Sequence, residues 1–286
     1  MRVEKQKALV GNKRALVRFW GPESPEESRA LLLIIHGLGE HSGRYDKFAK
    51  DLVEKNQIEI LCFDLPGHGE TSGLRGYISK FEDFLELIQD LKSSFLNHPK
   101  PRILFGHSLG GLIAVRYVQE HESDFDGLIL SSPAIVFNLD NKIRNIIPIL
   151  RFLNFITPWL TTSNGLEPSS LSRNQESVEK YVNDPLVHDR ISIRLFCEML
   201  RNSNQAKNGI ERIRIPILLF GGTDDRIVSF NEVAKLIRKT FDNQIVGFEG
   251  GYHELFEDIE HHHSLLKLIS SWIENKIINS KEKKYA

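Results

Sequence analysis

Short apolar runs bounded by glycine, proline or charged residues recur along this chain, at Leu31–Ile35, Ile58–Phe63, Ile103–Phe105, Gly127–Pro133, Ile215–Phe220 and Gln244–Phe248. Runs this short, with little polar alternation, predict strands covered on both faces. Between them the apolar period lengthens to that of helices, over Phe81 to Asn97, over Gly111–Val118, and over a C-terminal segment that puts Leu265, Leu268, Ile269, Trp272 and Ile273 on one face. Strand alternating with helix predicts an α/β fold, a mostly parallel central sheet flanked by helices. Ala15–Trp20 adds an antiparallel edge pair. After Gly127–Pro133 the alternation breaks. Ile146–Leu160 is apolar but interrupted by Arg151, Asn154 and Thr157, with Pro148 and Pro158 bracketing a helical middle. It falls short of the ~20 uninterrupted apolar residues that span a bilayer. We read residues 136–206 as an inserted, mainly helical cap, and 1–135 with 207–286 as the core.

Composition narrows the function classes. The 286 residues are 41% hydrophobic and 26% charged, enough for one substantial core. With 37 basic against 38 acidic residues, the formal charge of −1 gives no basis for nucleic-acid binding. Two cysteines in separate apolar stretches, Cys62 and Cys197, fit a reducing compartment, with Cys62 a core strand residue. Met1–Lys7 lacks a secretory apolar region, so the expectation is a cytoplasmic protein; the cap's apolar side is expected to line an acyl tunnel over Ser108, with peripheral membrane association if the outward-facing remainder of the cap dips into lipid. His261–His263 reads as an exposed helix start rather than a metal site, because consecutive helical residues cannot face one ion. Lys281–Lys284 reads as a solvated terminus.

The chemistry begins at Gly106-His107-Ser108-Leu109-Gly110, directly after an apolar strand and before Gly111 and a helix. A serine there sits on a sharp strand-to-helix turn with its hydroxyl exposed, and the turn leaves no room for side chains at 106 and 110. A hydroxyl is a weak nucleophile at neutral pH, so it needs a base and a carboxylate to orient that base. In chain order Ser, acid, His, the later strands supply both: Gly221-Gly222-Thr223-Asp224-Asp225-Arg226 and Glu249-Gly250-Gly251-Tyr252-His253. Spacing alone does not choose between Asp224 and Asp225. For the oxyanion, one backbone N–H comes from Leu109 and the second from the loop His36-Gly37-Leu38-Gly39-Glu40-His41, with Leu38 the candidate.

These motifs, with Ser42-Gly43-Arg44-Tyr45, Asp64-Leu65-Pro66-Gly67-His68-Gly69 and the cap segments Leu171–Asn174 and Tyr181–Leu186, resemble the α/β-hydrolases of the monoacylglycerol lipase and lysophospholipase type, grouped with the serine aminopeptidases. The resemblance implies an α/β-hydrolase fold with a cap over the site. It favours Asp225, which precedes Arg226, giving a Ser108–Asp225–His253 triad. It implies a serine hydrolase acting on esters with one acyl chain, monoacylglycerol first and lysophospholipid second, with no cofactor and no metal. Glu40 and Arg44 are implied either to contact the glycerol end or to brace their loop as an ion pair. Tyr181 from the cap and Ile227 are further substrate-binding candidates. Arg44 or Arg75, if placed for phosphate, would favour lysophospholipid. A sensor with negligible turnover and an aminopeptidase are the other classes, the latter requiring an acidic pair in the cap that the sequence does not reveal. Two residues depart from the pattern: Leu38 replaces a common alanine, and Glu254 places a carboxylate directly after His253, where an apolar residue is frequent.

Overall fold

The computed structural model describes residues 1–10, 13–95 and 100–280. The expected helix end at Asn97 and the tail Lys281–Lys284 lie outside these. The strands are β1 (Arg2–Val10), β2 (Lys13–Gly21), β3 (Leu31–Ile35), β4 (Glu59–Phe63), β5 (Arg102–His107), β6 (Gly127–Ser131), β7 (Thr161–Ser163), β8 (Arg190–Ser192), β9 (Ile217–Gly222) and β10 (Asn243–Phe248). The helices are α1 (Asp46–Asn56), α2 (Glu82–Phe95), α3 (Leu109–His121), α4 (Asn141–Ile156), α5 (Gln175–Asn183), α6 (Ile193–Gly209), α7 (Phe230–Ile237) and α8 (His262–Trp272).

Eight strands form one sheet in the order β1-β2-β4-β3-β5-β6-β9-β10, parallel except that β2 runs antiparallel to both β1 and β4. The edge pair expected at Ala15–Trp20 is therefore a full hairpin. Its first strand escaped the apolar-run reading because Glu4, Lys5, Gln6 and Lys7 fill its middle. Along β3, Leu31, Leu33 and Ile35 join one apolar layer while Leu32 and Ile34 join the other, the period-two alternation of a strand buried on both sides. The first layer takes apolar faces of α2, α3, α6 and α7; the second takes those of α1 and α8. Cys62 lies buried in β4, and Cys197 is half-buried on α6.

The order matters for function. From β3 the chain moves outward to β4, then returns past β3 to β5 and continues the other way. Loops leaving β3 and β5 thus diverge at the carboxyl edge of the sheet and open the crevice in which α/β proteins bind ligands.

Above that edge sit α4, the β7–β8 pair, α5 and the start of α6. Helix α6 crosses the expected boundary at 206 and docks on the core: Asn202 Oδ1 accepts from Arg116, Ser203 donates to the Ile135 carbonyl and Gln119 donates to the Ala206 carbonyl. The expectation that prolines bracket the helical middle of 146–160 fails at Pro148, which lies inside α4. Proline there removes one N–H, to the Arg144 carbonyl. No residue of α4 is fully buried, so water can serve that carbonyl and the helix runs through. Among the described residues, no helix is long and apolar enough to cross a membrane.

Candidate active site

Ser108 stands between the end of β5 and the start of α3 with φ 52° and ψ −117°. A non-glycine residue at positive φ costs of order 1–3 kcal/mol and persists only where its surroundings over-determine it. Here the Ser108 N–H donates to the Ser131 carbonyl at 3.0 Å, and its own carbonyl accepts from Leu112 and Ala134 at 3.1 and 2.9 Å. The flanking glycines are steric requirements. A Cβ on Gly106 would lie 2.4 Å from the Gly110 carbonyl oxygen, and one on Gly110 would lie 2.1 Å from that of Ile35.

Past the carboxyl end of β9, Asp225 is buried, and its Oδ1 accepts from the N–H groups of Ile227 and Val228 at 2.8 and 3.0 Å. Its Oδ2 lies 2.7 Å from His253 Nδ1. Asp224 is open to solvent and, among the described residues, its side chain accepts from Thr223. The structure thus brings Asp225 and His253 together and leaves Asp224 outside. Burial alone would raise the Asp225 pKa, but His253 and the two amides more than offset it and hold it below the ordinary value. Burial would lower His253; the Asp225 charge outweighs it and sets His253 above 6.5. With Nδ1–H donated to Asp225, Nε2 of the neutral imidazole is the free basic nitrogen.

Ser108 and His253 both line a small cavity that takes Glu40, Glu254, Tyr181, Leu166 and Leu171 in its wall. Its volume, about 10 Å³, is the room of roughly one water. A second cavity of about 240 Å³ meets the first at Ser108 and Leu38. Its wall is largely apolar, with Phe137, Ile143, Ile191, Phe196, Met199 and Ile227. Among the described residues, no acceptor engages the backbone N–H of Leu38 or Leu109. Those donors remain available beside Ser108.

Glu40 and Arg44 belong to a buried ion cluster. Arg44, its side chain 7% exposed, donates to Glu40 Oε2 at 2.9 Å and, through both terminal nitrogens, to Glu254 at 2.7 Å. Glu40 Oε1 accepts from the Gly37 N–H at 2.5 Å and from the Tyr45 hydroxyl at 3.0 Å. The loop leaving β3 is thereby tied to the segment carrying His253. Burial pushes Glu40 up despite Arg44. The Tyr181 ring stacks on the Arg44 guanidinium at 4.8 Å. Arg75 lines neither cavity.

Several supports were not visible in sequence. His36 Nε2 accepts from the Leu65 N–H at 2.9 Å and Nδ1 lies 2.8 Å from the Gly37 carbonyl, so a neutral imidazole braces two loops; burial pulls its pKa down to about 4. From the cap, Asp184 meets His41 at 2.8 Å, and the His188 N–H donates to the Gly39 carbonyl at 2.9 Å. Gly39, at φ 81°, admits this approach because a Cβ would lie 2.3 Å from the His188 carbonyl. Of the histidine run, His262 bridges to Asp51 of α1 while His263 is exposed.

A family described as serine aminopeptidase, S33, matches residues 26–260. The monoglyceride lipase of Rattus norvegicus is 30% identical, covering 91% of this chain and 86% of its own. The phospholipase YtpA of Bacillus subtilis is also 30% identical, over 81% and 90%. Among solved structures, the Paleococcus ferrophilus monoacylglycerol lipase superposes with a TM-score of 0.81 at 34% identity, covering 96% of this chain and 98% of that one.

Proposed function

This chain belongs to the monoacylglycerol lipase group of the serine aminopeptidase S33 family, and we propose that it is a serine ester hydrolase cleaving monoacylglycerol to glycerol and fatty acid. The observation that carries the reading is the position of Ser108, held in a strained turn where a larger apolar cavity meets a small one walled in part by His253, Glu40 and Glu254. An ester of a long acyl chain and a polar alcohol has those same two halves, joined at the carbonyl carbon.

In the proposed reaction Ser108 Oγ attacks that carbon as His253 Nε2 takes the hydroxyl proton, and Asp225 holds the imidazole and stabilises the imidazolium. The oxyanion receives the N–H groups of Leu38 and Leu109. Collapse breaks the bond to the alcohol oxygen, which leaves with the proton from His253. Water then attacks the acyl-serine by the same route reversed, releasing the acid. Ile227 flanks the acyl chain in the apolar cavity, and Tyr181 closes the small one. Intact-mass analysis of acid-quenched enzyme after mixing with 1-monooleoylglycerol tests this: an oleoyl adduct mapping to Ser108 is expected, and an adduct elsewhere refutes it.

Access from a lipid surface is part of the proposal. Helix α4 and its exit present Ile149, Phe152, Phe155, Ile156, Trp159 and Leu160 to solvent, Phe155 at 85% exposure. Lys142, Arg144 and Arg151 accompany them, and no acidic residue occurs between 141 and 166. An exposed apolar patch with a basic fringe supports peripheral contact with a membrane.

A further inference from the structure

We infer that Glu254 sets the head-group preference of this site: by occupying Arg44 and walling the small cavity beside Ser108 together with Glu40, it admits neutral alcohol head groups and rejects phosphate-bearing ones. The inference rests on the ester-hydrolase reading above and decides within it between monoacylglycerol and lysophospholipid.

A phosphate is held by cationic or strongly polarised donors, of which arginine is the best fitted. Among the described residues, no lysine or arginine lines the small cavity. Arg44 lies beside it, but three hydrogen bonds of 2.7–2.9 Å commit its guanidinium to two carboxylates. Glu40 and Glu254 both stand in the cavity wall, and the cluster they form with Arg44 holds two acids against one base. Glu257 adds to the negative field around Arg44. The nearest cation in the wall of the acyl cavity, Arg226, is exposed and lies over the Tyr252 ring at 5.5 Å. Leu171 and Tyr181 close a space of about one water and must yield to either head group, so charge rather than size separates the two lipids. A neutral diol carries no charge against this excess of acid, whereas a phosphate meets like charge with, among the described residues, no uncommitted cation in the cavity wall to hold it.

Glu254→Gln keeps the shape of the side chain and removes its charge, leaving Arg44 balanced by Glu40. The experiment measures kcat/KM on 1-monooleoylglycerol and 1-oleoyl-lysophosphatidic acid, both in neutral detergent micelles, for wild type, Glu254→Gln and Glu254→Asp. The expected result is a strong wild-type preference for the neutral lipid that shrinks at least about tenfold in Glu254→Gln and is restored in Glu254→Asp, the change falling mainly on KM for the phosphate lipid. A ratio unchanged in Glu254→Gln, with monooleoylglycerol turnover intact, overturns the inference alone. If wild type cleaves p-nitrophenyl butyrate but neither lipid, the monoacylglycerol reading fails and takes the inference with it. Should Glu254→Gln not fold, wild type still decides: 1-O-hexadecylglycerol is expected to inhibit p-nitrophenyl butyrate turnover at least about tenfold better than its 3-phosphate, and equal inhibition overturns the inference.

Discussion

Asp225→Asn separates the role of the acid from its place in the loop. Asparagine can keep Oδ1 where Asp225 Oδ1 accepts from Ile227 and Val228, so the turn after β9 survives. Its other terminus then becomes an amide NH₂, 2.7 Å from where His253 Nδ1 sits. Facing a donor, Nδ1 must turn acceptor, the proton moves to Nε2, and the imidazole no longer takes a proton from Ser108. The same tautomer error in a serine-protease triad costs about 10⁴-fold in turnover. At 1.36 kcal/mol per decade that is roughly 5 kcal/mol of transition-state stabilisation. The assay is kcat/KM on a soluble p-nitrophenyl ester against pH, with circular dichroism as a check on folding. Wild type loses activity as pH falls through a His253 pKa held above 6.5 by Asp225. In the variant that limb moves to lower pH. The pair also contributes stability. The raised His253 pKa stabilises fully below the unfolded imidazole value and less as pH rises through the folded one. The depressed Asp225 pKa stabilises above the unfolded carboxylate value and less as pH falls through the folded one. The Tm penalty of Asp225→Asn should therefore peak at about pH 5–6. A folded variant within tenfold of wild-type turnover, with its acid limb unmoved, would refute the reasoning.

Two further perturbations probe the surroundings. Arg44→Met leaves Glu40 and Glu254 buried without their cation, and chemical denaturation should show a loss of about 3–5 kcal/mol; a loss under about 1 kcal/mol would mean that the cluster is not a brace. Phe152→Ser with Phe155→Ser should cut sedimentation with liposomes while turnover of a soluble ester stays within about twofold, because both side chains are largely exposed and line neither cavity; unchanged sedimentation removes α4 from the membrane contact.

How much of this was legible beforehand follows from the range of the interactions. The nucleophile turn is local: strand, three glycines and helix are consecutive, and each glycine answers a close approach within or beside the turn. The central strands were equally plain, because burial on both faces leaves unbroken apolar runs. The choice of Asp225 over Asp224 was not local, since both sit in one turn and only the path of the chain to His253 separates them; resemblance supplied what spacing lacked. Glu254 could be noticed as a departure, but its link to Arg44 spans 210 positions and appears only when the loops after β3 and β10 meet. The brace at His36 and the docking of Asp184 on His41 are hidden for the same reason. Pro148 misled because α4 runs through it: the turns on either side carry the helix past the lost N–H, which a reading of proline as a boundary does not foresee.

The most direct test of the central claim is oleate release from 1-monooleoylglycerol by wild type and by Ser108→Ala, with 1-oleoyl-lysophosphatidylcholine in parallel. The account predicts rapid release from the monoglyceride by wild type, none above background from Ser108→Ala, and slow release from the phospholipid. Equal release by wild type and Ser108→Ala would contradict it.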